Sequence, residues 1–263
     1  MAPRLGPQEA LLEQSRTVLA WLQGLPLEVF ERPTVLPDWD VRQLAGHLVL
    51  VHAALAASLE QRTREAALPI HEFVTRDRDV EMIMASKLEQ SAELSGPEVV
   101  ARLESSIDHL AAKLEGEVQL SRVIMTRRGA TTIEDYLATR IVEVVVHTDD
   151  LNRSVPEVAS ATLQRGALAR CTRTLTAILA GRHPGRSVEV RIPPYAAVQC
   201  AIGGPGPTHT RGTPPNVVET DPVTFLRLAT GRIAWDEAIA SGTVHASGLR
   251  ANLDPVLPLL PVL

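Results

Sequence analysis

The chain has 263 residues, of which 45% are hydrophobic, and a formal net charge of −5. This length exceeds that of one typical domain and the apolar content suffices for packed cores, so we expect a globular protein of two domains. The negative charge and the small aromatic complement of three Trp, two Tyr and three Phe argue against a nucleic-acid-binding surface, which needs basic patches and stacking rings.

The chain also carries no membrane or secretion signal that we recognise. Residues 1–9 have no basic cluster leading into an apolar segment, and no run of 18 or more apolar residues occurs. We therefore expect a cytoplasmic protein without a transmembrane segment. Cys171 and Cys200 lie far apart and outside any C-x-x-C pattern, so neither a disulfide framework nor a thiolate metal site is predicted.

The first part of the chain has helical periodicity. Apolar residues spaced three and four apart predict helices over 8–25, 41–67, 80–94, 97–114 and 132–152. Asp40, with Gln43 three residues later, forms a capping-box pattern and predicts that the second helix starts near residue 40. These segments predict an up-and-down bundle of four main helices and a shorter one.

Two histidines lie on the second predicted helix. His47 shares an apolar sector with Leu44, Leu48 and Val51, so its imidazole should face the core, whereas His52 falls toward the edge of that sector. Two interpretations of His47 stay open here: a hydrogen-bonded core histidine or a metal ligand.

Glu143 and His147 lie four residues apart in the last helix of the bundle, within an otherwise apolar run. This spacing places their Cβ atoms roughly 6 Å apart on one helix face, where both could hold one divalent cation. Arg140 and Asp150 fall in the same stripe. Two interpretations of this stripe stay open. If the helix is buried, such charges must be paired, neutralised or bound to metal. If the stripe is a solvent face, Glu143 and His147 are an exposed pair. With His47, the two would complete the His₂Glu ligand set of a catalytic zinc site.

The segments that carry these residues resemble a known family. Residues 39–48, WDVRQLAGHL, resemble the W-x-V-R-D-L-x-x-H-L signature of the mycothiol-dependent maleylpyruvate isomerase family, within the DinB-like metal-binding helical bundles. Residues 140–151, RIVEVVVHTDDL, are similar to its second signature, R-x-x-E-x-x-x-H-x-x-D-L. The resemblance implies that His47, Glu143 and His147 bind a divalent metal, usually zinc.

After residue 152 the pattern changes to mixed elements. It predicts a helix over 162–180 ended by Gly181, a strand over 188–192, a turn at 203–207, short strands at 208–211 and 216–219, helices at 222–228 and 235–240, a strand at 242–248 and a closing helix over 252–260. Asp221 and Pro222 form a typical helix start. We therefore expect a helical bundle over 1–155 and a small α+β domain over 156–263.

The end of the chain has a resemblance of its own. Residues 221–232 and 238–248 are similar to the last third of sterol-carrier-like domains, in which a helix precedes a glycine-flanked strand and a closing helix. The resemblance implies a sterol-carrier-like fold for the second domain, as either a binding domain or a support for the bundle.

The ligand set predicts a metal-dependent enzyme, and the resemblance to the isomerase family implies a zinc-dependent isomerase or transferase that uses a mycothiol-type thiol and a small electrophilic substrate. Arg140 and Asp150 would support the metal ligands or orient the substrate, and Arg191 or Arg211 would supply a carboxylate clamp from the second domain. The alternative is a carrier of lipids or other hydrophobic ligands with a structural or vestigial metal site.

Overall fold

The computed structural model describes residues 5–76, 94–203 and 214–260. The chain forms two compact units, Met1–Pro69 with Arg76–Ala167 and Ile70–Thr75 with Leu168–Leu263. The predicted strand at 208–211 with Arg211 lies outside the described residues, as do all but the last residue of the predicted helix at 80–94 and most of the 203–207 turn. The domain limits at 155 and 156 stay a prediction.

Among its described residues, the first unit has four long helices: α1 (Pro7–Gln23), α2 (Val41–Ser58), α3 (Gly96–Leu114) and α4 (Ile133–Ser154). The capping box predicted at α2 is present, since the Gln43 amide donates to Asp40 Oδ1 (2.7 Å) and the Asp40 amide donates to Gln43 Oε1 (2.8 Å). At α4, Thr132 Oγ1 accepts from the Asp135 amide at 3.0 Å. These local bonds satisfy amides that have no partner within a helix.

The bundle core lies between these helices, because α1 and α2 each pack against both α3 and α4. Each helix contributes buried apolar side chains at the spacing read from the sequence: Leu11, Val18 and Leu22; Leu44, Leu48 and Leu55; Leu103, Ile107 and Leu110; Leu137, Ile141 and Val144. The packing of α2 on α4 brings together the two segments that carry the predicted metal ligands.

The helix predicted to run to residue 67 ends instead at Ser58. Past its end, the Arg122 guanidinium donates to the Leu59 carbonyl at 2.9 Å. The chain then pairs with a hairpin of β1 (Val123–Thr126) and β2 (Gly129–Thr132), through a bridge between Arg62 and Ile124. We did not predict this hairpin or its bridge to Arg62, which joins segments far apart in the chain.

The second unit contains α5 (Arg165–Arg182, from Leu168 onward), a single helical turn at Ile70–Phe73, and a four-stranded sheet with two short helices. The strands are β3 (Val188–Ile192), β4 (Ala196–Cys200), β5 (Val217–Thr220) and β6 (Val244–Ser247), in the order β4-β3-β5-β6. β3 is antiparallel to β4 and parallel to β5, and β5 is antiparallel to β6. The helices between β5 and β6 are α6 (Pro222–Ala229) and α7 (Trp235–Ala240).

The buried residues of β3, Val188, Val190 and Ile192, alternate with more accessible ones, as the sequence predicted. These strands and helices confirm the predicted architecture of a helical bundle followed by a small α+β domain. Within the described residues, no helix has the length and apolarity required to cross a membrane.

Three local predictions in this unit were wrong or incomplete. Strand β4 was missed, and the closing helix is only a 3₁₀ turn at Asp254–Val256, where Pro255 and Pro258 interrupt helical hydrogen bonding. Gly181 does not end its helix but lies inside α5. A Cβ at Gly181 would lie 2.5 Å from the His71 ring, so packing explains this glycine.

Candidate metal centre

Glu143 and His147 lie one turn apart on α4 and are buried, with only 5% and 0% of their surfaces exposed. The alternative of an exposed surface pair is therefore wrong. The residues around this pair, such as Val142, Val144 and Val146, are buried as well. Protein therefore covers helix α4 on most sides. Ionisable groups in such surroundings must be paired with an opposite charge, neutralised or bound to a metal.

His47 meets this pair from α2. Its Nε2 lies 3.2 Å from Glu143 Oε2, and its ring centroid is 4.7 Å from that of His147. One ligand atom from each of the three side chains can be chosen so that all lie within 4.8 Å of one another. The structure thus brings together the three residues that the sequence selected, from positions 96 residues apart.

The hydrogen bonding of His147 fits a metal ligand. Its Nδ1 lies 3.1 Å from Asp150 Oδ2, while its Nε2 is buried without a hydrogen-bond partner among the described residues. With the proton on Nδ1, the Nε2 lone pair is free to coordinate, and carboxylate support of this kind is typical of metal-bound histidine. The His47 to Glu143 distance of 3.2 Å also suits two atoms that each lie about 2.0–2.2 Å from one zinc ion.

The electrostatics favour the protonation states that a metal requires. Burial acts to raise the pKa of Glu143, but the Arg140 guanidinium, with Nη2 2.6 Å from Glu143 Oε1, and His47 together hold that pKa well below its ordinary range. Burial lowers the pKa of His147. At neutral pH the centre therefore offers an ionised carboxylate and a neutral His147 imidazole, the forms that bind metals.

The comparisons with family models identify both domains. Residues 11–152 match the family model described as the mycothiol maleylpyruvate isomerase N-terminal domain. The chain belongs to this family. Residues 164–259 match the model described as bacterial SCP ortholog, so the mycothiol maleylpyruvate isomerase domain is followed by a sterol-carrier-like domain.

Solved structures show the same fold. Two crystal structures of mycothiol-dependent maleylpyruvate isomerase, one of a histidine-to-alanine mutant, are each 19% identical to this chain, with TM-scores of 0.61 for the parent protein and 0.60 for the mutant. Each match covers 92% of this chain and 93% of the other. No curated protein matches the chain.

Of the residues predicted to support the metal ligands, Arg140 and Asp150 contact them. Arg140 contacts Glu143, and its guanidinium carbon lies 4.9 Å from the centroid of the Tyr136 ring. Asp150 contacts His147. Arg191 lies on β3 in the second unit, where it pairs with Glu189 at 2.6 Å and approaches Glu219 at 4.0 Å; its predicted role, like that of Arg211, stays a prediction.

Two further residues near the centre were not recognised from the sequence. The Trp39 ring lies against His47, with centroids 5.5 Å apart and an interplanar angle of 67°. His52, predicted near the edge of the apolar sector, is completely buried, and its Nε2 lies 2.8 Å from Ser15 Oγ on α1. The signal for Trp39 was present, since this residue opens the first family signature.

Both cysteines are buried and free. Burial raises the pKa of the Cys171 thiol and raises that of Cys200 to about 11. Each side chain is therefore a protonated, enclosed thiol at neutral pH, which makes it a poor nucleophile.

Proposed function

We propose that this protein is a zinc-dependent isomerase or transferase that uses a mycothiol-type thiol on a small electrophilic substrate. His47, Glu143 and His147 would hold the metal. The observation that supports this most directly is the buried Nε2 of His147, which has no hydrogen-bond partner among the described residues and belongs to a compact His₂Glu cluster. Three protein ligands leave a coordination position for an external molecule.

The contacts of the carboxylates favour an external nucleophile over a metal-bound water activated by a general base. Glu143 Oε1 contacts Arg140 and Oε2 contacts His47, and its low pKa makes it a weak base. Asp150 is bonded to His147. Within the described part of the centre, neither carboxylate is placed like the free glutamate of H-E-x-x-H enzymes.

An external thiol is favoured further because the protein's own thiols are enclosed. Cys171 and Cys200 are both 0% exposed. A divalent metal in this ligand set would lower the pKa of a coordinated thiol, so that a thiolate is available at neutral pH. Arg140 would keep Glu143 ionised, Asp150 would orient His147, and Arg191 or Arg211 would bind a substrate carboxylate.

Metal content tests the centre. We expect about one divalent metal per wild-type chain and a sharp loss in His47→Ala and in His147→Ala, measured by elemental analysis of purified protein. His52→Gln is the matched control, since His52 lies on the same helix and is buried but contacts Ser15 instead of the cluster. Equal metal content in all four proteins would refute the assignment.

Cobalt spectroscopy tests the thiol. Titration of mycothiol into cobalt-substituted protein should produce a sulfur-to-cobalt charge-transfer band, and Glu143→Ala should lose it. If cobalt binds with ordinary d–d bands but millimolar thiol changes nothing, the metal centre stands and the thiol mechanism fails.

The match of residues 164–259 to the bacterial SCP ortholog model favours a second candidate function, binding of lipids or other hydrophobic ligands with a structural or vestigial metal. A fluorescent fatty-acyl probe titrated into the full chain would test it. Saturable binding that survives metal chelation would support the carrier function, and absence of binding would exclude it for that ligand class.

A further inference from the structure

We propose that Trp39 is a positioning residue of the metal centre, which holds the His47 imidazole by ring contact. This inference rests on the proposed metal centre but not on the thiol chemistry. It is drawn from the contacts of His47, from the turn that carries Trp39 and from the burial of both residues.

The two histidines of the centre are held in different ways. The Nδ1 of His147 is bonded to Asp150 at 3.1 Å. The Nδ1 of His47 is buried and has no hydrogen-bond partner among the described residues, so no bond at that atom fixes the ring orientation. Instead, the His47 ring contacts two other rings, with Trp39 at 5.5 Å and 67° and His147 at 4.7 Å and 82°. Such edge-to-face contacts have a preferred geometry.

Trp39 is itself held by a tight turn. The Thr34 amide donates to the Trp39 carbonyl at 2.7 Å, and the Val41 amide donates to the Arg32 carbonyl at 3.0 Å. Asp38 has φ of 65°, a left-handed conformation that aspartate adopts more readily than most residues. These contacts hold the backbone next to Trp39 in place. Such support is required if Trp39 is to position the metal ligand His47.

The same turn is tied to α4. The Val35 amide donates to Ser154 Oγ at 2.9 Å, and that hydroxyl donates to the Asp150 carbonyl at 2.7 Å. Thus the turn that places Trp39 against His47 is bonded to the helix that places Asp150 against His147. The supports of both histidines belong to one connected network.

Trp39 is more accessible than the residues of the cluster. His47 and Glu143 are each 5% exposed and His147 is fully buried, whereas Trp39 is only partly buried.

Cobalt titration of the metal-free full chain tests the proposal, because Co²⁺ quenches tryptophan emission at short range. The chain has three tryptophans; Trp21 donates its indole N–H to the Ala159 carbonyl, and Trp235 begins α7 in the second unit. We expect a drop in emission in wild type and in Trp21→Phe, and loss of most of that drop in Trp39→Phe.

Cobalt affinity supplies the second readout. Trp39→Ala should bind Co²⁺ at least about tenfold more weakly, with altered d–d bands, as for loss of other supports around metal ligands. Trp39→Phe keeps a ring at the contact and should stay near wild type. Wild-type affinity and an unchanged spectrum in Trp39→Ala would overturn the positioning role.

The other outcomes are equally decisive. If Trp39→Ala proves unfolded by circular dichroism, equal quenching in Trp39→Phe and Trp21→Phe would overturn the proposal, and unequal quenching would support it. Failure of the wild-type chain to bind cobalt would remove the metal centre together with this inference. Cobalt binding without a thiol band would leave the Trp39 role intact and refute only the thiol mechanism.

Discussion

In the bundle core, the charge and the hydrogen bonding of a side chain depend on its immediate neighbours. Glu143 is the strongest case, since burial opposes its charge and Arg140, 2.6 Å away, stabilises it. Loss of one member of such a buried pair typically costs about 3–5 kcal/mol, because the remaining charge has no partner. His47 and His52 show the same dependence on neighbours: both lie buried on α2, yet one contacts a carboxylate and the other a serine hydroxyl.

We expect His52 to make the stability of the protein depend on pH. Burial lowers its pKa from 6.5 to about 4, so between these values the unfolded chain binds more protons than the folded one. Stability must therefore fall as the pH is lowered through this range, by about 3 kcal/mol at most from this residue. Urea unfolding of metal-free protein at pH 7, 5 and 4 should show a smaller loss in His52→Gln than in wild type.

The comparison with His52→Gln isolates this histidine from other acid-sensitive groups, which both proteins share. Parallel stability curves for the two proteins would mean that His52 does not stay neutral in the folded state.

At the level of elements, close contacts decide where helices continue and end. Helix α5 continues through Gly181 because the absence of a side chain leaves room for the His71 ring. Helix α2 ends at Ser58, and the chain beyond it joins the β1–β2 hairpin through Arg62. In both places the contact that determines the structure comes from a residue far away in the sequence.

Gly181→Ala should destabilise the protein. Its new Cβ would lie 2.5 Å from His71 Nδ1, and such overpacking typically costs about 1–3 kcal/mol. Urea unfolding measures the change. Gly24→Ala is the control, since a Cβ there has no neighbour closer than 3.5 Å.

A second control removes the clash by truncating the His71 side chain. Gly181→Ala should regain part of its lost stability when combined with His71→Ala. An additive double mutant would show that the two residues do not compete for this space.

At the scale of the whole molecule, the segment that follows α4 is hydrogen-bonded to the helical bundle. Asn152 and Ala161 exchange two hydrogen bonds of 2.9 and 2.7 Å, and the Gln164 amide donates to Gln14 Oε1 at 2.7 Å. Trp21 donates to the Ala159 carbonyl at 2.7 Å. The compact first unit accordingly continues to Ala167.

We expect a truncated chain of residues 1–155 to be helical and to bind metal, because both ligand segments and all four long helices lie within it. A chain of residues 1–167 should be more stable, since it keeps the bonds of the buried Gln14 side chain to the Thr162 carbonyl and the Gln164 amide, whereas both chains keep its bond to Thr148. Each hydrogen bond of this kind typically contributes about 0.5–1.5 kcal/mol. Circular dichroism, urea unfolding and elemental analysis of both chains check this. Equal stability would show that the 156–167 segment contributes nothing to the bundle.

Much of the candidate site could be predicted because its signals are local. The four-residue spacing of Glu143 and His147 places both on one helix face, and Asp40 with Gln43 marks where α2 begins. Adding His47 depended on its apolar sector and on the family signature. Alternation likewise predicted β3, because side chains in a half-buried strand alternate between core and surface.

What the sequence by itself determined was therefore the type of most elements, the starts of α2 and α6, the family and the set of three candidate ligand residues. The tertiary structure decided the burial of Glu143 and His147, the contact of Trp39 with His47, the partner of His52, the end of α2 and the continuation of α5 through Gly181. The physical reason is the range of the interactions: helix periodicity and capping act within a few residues, whereas burial and side-chain contacts depend on segments that only packing brings together.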